Sequence, residues 1–140
     1  MKRRRLALWL PLGLLAGFGT VTWLALESQE VIALRTRQAT GEVRITRVWV
    51  AEHEGALWLE AATPDRSWYL DLLAQPRLEV ERGGERICVI ASPEPGPEGH
   101  QKIRSLLRRR YGWADRWVAL LQDTSESIAV RLDPCQATRG

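Results

Sequence analysis

The stretch of sequence that decides the fold runs from residue 43 to residue 62, where two strand-like segments surround a tight turn. Its first half reads Val43-Arg44-Ile45-Thr46-Arg47-Val48-Trp49-Val50-Ala51. This segment is rich in β-branched and aromatic residues, which favour strands. Glu54-Gly55 then indicates a hairpin turn, and a second strand is predicted from Ala56 to Ala62. Strands joined by so short a turn pair antiparallel.

Further strands are predicted on both sides of this hairpin. Val31 to Thr36 alternates weakly between apolar and polar residues, and Ala39-Thr40-Gly41-Glu42 is a turn signal. On the other side, Arg77 to Arg82 and Glu85 to Ser92 flank Gly83-Gly84, which is a strong two-residue hairpin signal. The chain therefore reads mainly as antiparallel hairpins.

Three helices and a last strand complete the predicted domain. A short helix runs from Trp68 to Ala74, a longer one from about Glu98 to Arg110, and a third follows Gly112. In the longer helix an apolar stripe faces the core and Arg104 lies on the wet side. The last strand spans Ser127 to Leu132. About six mostly antiparallel strands in so small an α+β domain predict a barrel, because closing a sheet removes its exposed edges.

The N-terminal segment is predicted to be a transmembrane helix. Leu6 to Leu26 is a run of uncharged residues, and a helix needs roughly 20 apolar residues to cross a bilayer. A cleaved signal peptide is the alternative, but its apolar region is shorter. The basic cluster Lys2 to Arg5 predicts a single-pass protein of the cell membrane with a cytoplasmic N-terminus and the domain on the outer side. The predicted organisation is an anchor and flank over 1–30, a domain over 31–135 and a tail over 136–140.

Charge and metal-ligating residues exclude several classes of function. The chain has 20 basic and 17 acidic residues, and Lys2 to Arg5 account for the excess, so the domain lacks the basic surface of a nucleic-acid-binding protein. The two histidines, His53 and His100, stand far apart in predicted turns, and no metal site is predicted. For Cys88 and Cys135 two interpretations stay open: a disulfide, as in exported proteins, or a buried apolar Cys88.

Three stretches of the chain follow one another in the order and spacing of a known family. They are Thr40-Gly41-Glu42-Val43-Arg44, then Trp68-Tyr69-Leu70-Asp71-Leu72, then Tyr111-Gly112-Trp113-Ala114-Asp115-Arg116-Trp117. This pattern resembles the deazaflavin-dependent nitroreductase family, whose split β-barrel is related to flavin-binding pyridoxamine-phosphate-oxidase-like proteins. The resemblance covers about Ile32 to Pro134 and implies a split β-barrel for this chain.

The resemblance also implies a ligand site. The cofactor would be a deazaflavin coenzyme or FMN, flat at its redox end and anionic at its phosphate end, where basic residues and backbone donors can hold it. The corresponding cofactor-binding residues are Arg37, Thr40, Gly41, Arg44, Thr46, Arg66, Trp68 and Tyr69. Tyr111, Trp113 and Trp117 would form an aromatic lid over an apolar acceptor such as a quinone or a small nitro compound.

The chain departs from the family pattern in ways that keep two functions open. Ala39 stands where the family has a basic residue, the loop over 62–67 is short and carries only Arg66, and Asp71 replaces an asparagine. The first hypothesis is a membrane-anchored oxidoreductase that reduces a quinone or nitro-type acceptor. The second is a non-catalytic, membrane-tethered binding or scaffolding module that has lost the cofactor. A homodimer is left open.

Overall fold

The computed structural model describes residues 2–27 and 30–136, and side chains within 11–25 and 30–136. In chain order the elements are α1 (Lys2–Glu27), β1 (Val31–Arg37), β2 (Val43–Trp49), β3 (Ala51–His53), β4 (Ala56–Ala61), α2 (Ser67–Ala74), β5 (Arg77–Arg82), β6 (Glu85–Glu94), α3 (Pro97–Tyr111), α4 (Trp113–Leu121) and β7 (Ile128–Pro134). Strand and helix positions in the domain agree closely with the sequence-based prediction. One predicted strand, residues 43–51, is divided into β2 and β3.

The described strands form one antiparallel sheet in the order β2-β1-β5-β6-β7-β4-β3. Although β2 and β3 lie at opposite ends of this order, only Val50 separates them in the chain. The sheet must therefore curl until its two ends meet, which makes a barrel. β2 also contacts β4, but within the described ranges no ladder of paired residues joins them. The barrel is split between these two strands.

The corner at Val50 explains why seven strands are found where about six were predicted. Val50 is buried, and both of its backbone polar groups bond to the Tyr111 hydroxyl group instead of to a neighbouring strand. The strand ladder therefore stops at this residue and a new one starts at Ala51. The described chain also contains four helices, because α1 adds to the three that were predicted for the domain.

The predicted transmembrane helix is wrong. In the part of the chain that the structure describes, no helix is both long enough and apolar enough to cross a membrane. The uncharged run contains Pro11, three glycines and two threonines, which contribute little apolar surface. The later turns of α1 pack on the domain, where Trp117 donates a hydrogen bond to Thr22 at 3.0 Å and lies 5.4 Å from the Phe18 ring. The predicted orientation relied on that span; the domain bounds and cellular location stay predictions.

Two apolar clusters hold the fold together. The first fills the barrel, where residues such as Ile32, Val80 and Val130 are fully buried and α2 contributes Trp68 and Leu72. The second cluster lies between α3 and the outer surface of β3, β4 and β7. Its largest member is Trp58, which is 1% exposed. Inward and outward residues alternate along the strands, so one sheet separates the two clusters.

Cys88 and Cys135 form a disulfide, with their Cα atoms 5.3 Å apart. It joins β6 to the residue that follows β7, and the Cys135 N–H group donates to the Cys88 carbonyl at 2.9 Å. Of the two interpretations left open by the sequence, the structure therefore has the covalent one.

The two histidines do not lie in turns, as the sequence predicted. His53 is the last residue of β3, and His100 lies in α3, where its ring is bonded to the Ser127 hydroxyl group at 2.8 Å.

The β5–β6 turn gives the first testable prediction. Gly83 and Gly84 have φ angles of +57° and +83°, as the sequence signal predicts, and this left-handed geometry costs other residues roughly 1–2 kcal/mol each. Replacing both glycines by valine should therefore lower the free energy of unfolding by several kcal/mol. Denaturant unfolding followed by circular dichroism measures the change. Ser92→Val, at an exposed strand position of β6, is the control and should change stability by about 0.5 kcal/mol or less.

Candidate functional site

A cavity of about 280 Å³ lies in the split of the barrel. One wall is the outer edge of β2, from Thr46 to Trp49. The opposite wall carries Glu60, which lies in β4, and Ala62, which directly follows β4. Helices α3 and α4 close the remaining side with apolar groups such as Leu107 and Val118. The walls therefore combine flat and branched apolar side chains with a few polar groups, which is the usual composition of a small-molecule site.

A charged network forms the buried end of this cavity. The Arg104 guanidinium donates from Nη1 to both carboxylate oxygens of Glu60, at 3.1 and 2.9 Å, and from Nη2 to both oxygens of Asp115, each at 2.8 Å. The side chains of Arg104, Glu60 and Asp115 are 12%, 13% and 3% exposed. Burial acts to lower the pKa of Arg104, but the two adjacent carboxylates more than offset it and the pKa is raised.

Two exposed arginines lie at the open end of the cavity. Arg47 projects from β2 and Arg66 immediately precedes α2. Among the described side chains, neither forms a salt bridge. Both guanidinium groups are thus available to an anion at the cavity mouth, and their planar donors suit phosphate and carboxylate oxygens.

Unpaired strand edges add backbone donors and acceptors to the site. β2 pairs only with β1, and residues 59–61 of β4 pair only with β7, so in the described chain one edge of each strand faces the split. An unpaired edge presents N–H and C=O groups that can bond to a ligand. The split therefore supplies hydrogen bonds that do not depend on side-chain type.

Three of the predicted cofactor-binding residues meet in this cavity, namely Thr46, Arg66 and Trp68. The turn residues of the predicted site lie elsewhere. Arg37 donates from Nη1 to the Gly41 carbonyl at 2.9 Å, and Thr40 bonds to Glu42. The β1–β2 turn thus satisfies its own polar groups, away from the split.

Arg44 is held by other protein residues. Its Nε donates to Asp71 Oδ2 at 2.8 Å, and its Nη2 donates to Gln38 at 3.1 Å. Asp71 also accepts a hydrogen bond from Thr36, at 2.8 Å. The aspartate that departs from the family pattern thus ties α2 to both β1 and β2. Because Arg37 is paired with Val43 and Arg44 with Thr36, the two arginines project from opposite faces of the ladder, so they do not converge.

Four of the predicted aromatic residues lie apart from one another. Tyr69, in α2, is buried in the barrel core, and burial raises the pKa of its phenol. Tyr111 bonds to the Val50 corner, and Trp117 packs on α1. Trp113 is 55% exposed at the start of α4. Within the described ranges, none of the four lines the cavity, so Tyr111, Trp113 and Trp117 do not form a shared lid over it.

The predicted site residues do not include four residues that line the cavity, namely Glu60, Arg104, Asp115 and Arg47. Arg104 follows the buried Ile103 and precedes the buried Leu107 by one turn, which places it at the border of the apolar stripe. That position was the available signal. In α4, Ala114 and Asp115 are buried while Leu120 and Leu121 are exposed. Asp115 thereby faces Arg104, whose Nη2 lies 2.8 Å from each of its carboxylate oxygens.

Comparisons with known proteins agree with the barrel. Residues 17–133 match a family model described as F420H(2)-dependent quinone reductase. A conserved hypothetical protein of Mycobacterium tuberculosis, Rv2991, superposes with a TM-score of 0.61 at 18% identity, covering 84% of this chain and 79% of that one. An F420-H2 dependent reductase, FDR-A, gives 0.56 at 18% identity, covering 74% and 93%. A putative pyridoxamine 5'-phosphate oxidase of Listeria innocua gives 0.58 at 15% identity, covering 80% and 89%. No curated protein matches by sequence.

Proposed function

We propose, on the premise that the chain belongs to the F420H(2)-dependent quinone reductase family, that it reduces a quinone with reduced F420 bound in the barrel split. The family membership supports a quinone-reducing oxidoreductase that uses a deazaflavin. The observation that carries the proposed site is the cavity itself, which is apolar along its walls and basic at its mouth. The fold of the solved relatives supports the same architecture.

The residues present fit the chemistry of this cofactor. A deazaflavin has a flat ring system and an anionic tail. Trp49 and Trp68 line the cavity with flat apolar surface, which suits a ring, since aromatic groups stack at offset. Arg47 and Arg66 at the mouth suit the tail, because each guanidinium can donate two parallel hydrogen bonds to phosphate or carboxylate oxygens.

The chain contributes binding, orientation and the exclusion of water. When it is bound, reduced F420 supplies a hydride. Leu107 and Val118 line the helical side with apolar groups. A ligand that fills the cavity displaces water from it, which strengthens the electrostatic interactions there. Confining a flat acceptor beside a flat donor also removes much of the entropic cost of bringing the two together.

The arginines of the chain allow the proposed site to be tested against the one implied by the turn. Titration of the protein into F420 or FMN, followed by ligand fluorescence, gives the affinities. Arg66→Ala should weaken F420 binding about tenfold or more, since one charged hydrogen bond is worth roughly 1.5–3 kcal/mol. Arg37→Ala should leave the affinity unchanged, because Arg37 lies at the β1–β2 turn. Arg108→Ala, at an exposed arginine of α3, controls for the loss of one positive charge.

Three outcomes decide the proposal. Tighter binding of F420 than of FMN, weakened only by Arg66→Ala, supports it. A loss of affinity in Arg37→Ala with none in Arg66→Ala would mean that the cofactor binds at the β1–β2 turn and not in the cavity. Absence of binding by the wild-type protein would favour the non-catalytic barrel. Oxidation of F420H2 by menadione, followed by the return of F420 absorbance, tests the reaction itself.

A further inference from the structure

We propose that the ligand binds with its ring at the buried end of the cavity and its tail at the open end. Glu60 then accepts a hydrogen bond from an N–H group at the edge of the ring. This inference rests on the proposed function and adds which end of the ligand enters and which group that end must carry. Glu60 becomes a residue that determines specificity, and Arg104 a positioning residue that acts through it.

The distribution of charge along the cavity supports this orientation. At the buried end, two carboxylates, Glu60 and Asp115, share one guanidinium, Arg104. The formal charge there is negative by one unit. At the exposed end, Arg47 and Arg66 carry two positive charges. A ligand with an anionic tail is attracted by the open end and repelled by the buried end, so its tail stays outside while its ring enters.

The geometry favours Glu60 over Asp115 as the acceptor. Asp115 is only 3% exposed and both of its oxygens are held at 2.8 Å by Arg104. Glu60 is 13% exposed and takes both of its hydrogen bonds from the single nitrogen Nη1. A carboxylate has about four lone-pair sites, so the Glu60 carboxylate, which lines the cavity, can accept a further hydrogen bond from a ligand. Arg104 fixes the orientation of this carboxylate.

A deazaflavin and a quinone differ in the hydrogen bonds that they can make, and this difference assigns them to different parts of the cavity. The pyrimidinedione ring of a deazaflavin carries an imide N–H group, which a carboxylate binds well because the hydrogen bond is charge-assisted. A quinone presents only carbonyl oxygens, which a carboxylate cannot bind. Glu60 therefore selects the deazaflavin for the buried end, and the acceptor is left to the apolar wall formed by residues such as Trp49 and Val118.

The experiment compares F420 with its derivative methylated at the imide nitrogen. Fluorescence titration gives both affinities, and their ratio isolates the N–H group. Wild type should bind the methylated form at least about tenfold more weakly. In Glu60→Gln the ratio should fall several-fold, because the acceptor loses its charge while any steric effect of the methyl group persists. Glu79→Gln, at a strand glutamate that pairs with Arg35 on the outer face, is the matched control and should keep the wild-type ratio.

The outcomes separate this inference from the proposed function. If wild type does not bind F420 at all, the proposed function fails and this inference fails with it. If wild type binds both forms equally, or if Glu60→Gln keeps the full ratio, only the inference fails. Should Glu60→Gln not fold, Glu60→Asp replaces it, since it keeps the charge but withdraws the acceptor by one methylene. A wild-type ratio in Glu60→Asp would likewise overturn the role of Glu60.

Discussion

Replacing Arg104 by alanine should lower the free energy of unfolding by about 3–5 kcal/mol. Arg104 donates four hydrogen bonds to two carboxylates in the wall of the cavity. Without it, Glu60 and Asp115 are left as two largely buried carboxylates, and neither has another cation within salt-bridge distance in the described chain. An uncompensated charge in such a place is more costly than the lost contacts alone.

Denaturant unfolding of Arg104→Ala measures this effect. Two further variants show whether the loss comes from uncompensated buried charge. Arg35→Ala removes an arginine from a surface pair whose closest atoms are 3.7 Å apart, with Glu79 55% exposed, and should change stability by about 1 kcal/mol or less. The triple variant Arg104→Met, Glu60→Gln, Asp115→Asn removes all three charges and should recover much of the loss. A change below 1 kcal/mol in Arg104→Ala would show that the network is solvated.

Tyr111→Ala should be comparably damaging, at about 3–5 kcal/mol, and Tyr111→Phe should cost about 1–3 kcal/mol. The Tyr111 oxygen lies 2.7 Å from the Val50 carbonyl oxygen and accepts the Val50 N–H group at 3.2 Å. It also lies 2.9 Å from the Glu30 carbonyl oxygen. The phenol thus satisfies the backbone at the corner where the two ends of the sheet meet, and burial raises its pKa, which keeps it protonated as a donor.

Tyr69→Phe is the control for this second prediction. Tyr69 is as buried as Tyr111, at 5%, but its phenol makes no hydrogen bond with another described residue, so removal of its oxygen should change stability by about 0.5 kcal/mol or less. Hydrogen exchange adds a local readout, because the Val50 amide should lose protection in Tyr111→Phe. Equal stability of Tyr111→Phe and wild type would mean that water replaces the phenol at this corner.

The strands and helices of the domain were predictable because their signals are local. The Gly83-Gly84 turn and the alternation around it fix a hairpin without reference to the rest of the chain. The break at Val50 was not predictable, because its cause is a hydroxyl group 61 residues away. The α1 segment was misjudged for a different reason, since a count of uncharged residues does not distinguish strongly apolar residues from the three glycines and two threonines of the run.

The site was predictable only in part. Thr46, Arg66 and Trp68, which the family resemblance implies as cofactor-binding residues, line one cavity; their binding role stays a prediction. The contact of Arg44 with Asp71 was not predictable, because the sequence does not show that their side chains converge across 27 positions. Arg104 was assigned to solvent because charged residues usually face water. Its burial depends on two carboxylates from different elements, and only the tertiary structure brings these together.

The position of β7 between β6 and β4 has a consequence for the way the protein is made. Among the described strands β7 comes last in sequence, yet it alone pairs with β4 over residues 59–61. During synthesis, β1, β5 and β6 can pair as soon as they emerge. Residues 56–58 of β4 can pair with β3, but residues 59–61 must wait for residues 128–134. One wall of the cavity is thus fixed only after residues 128–134 have been synthesised. Pairing across so many intervening residues is slow because closing a long loop is entropically unfavourable, so nascent chains should acquire a folded hairpin well before they can bind a ligand.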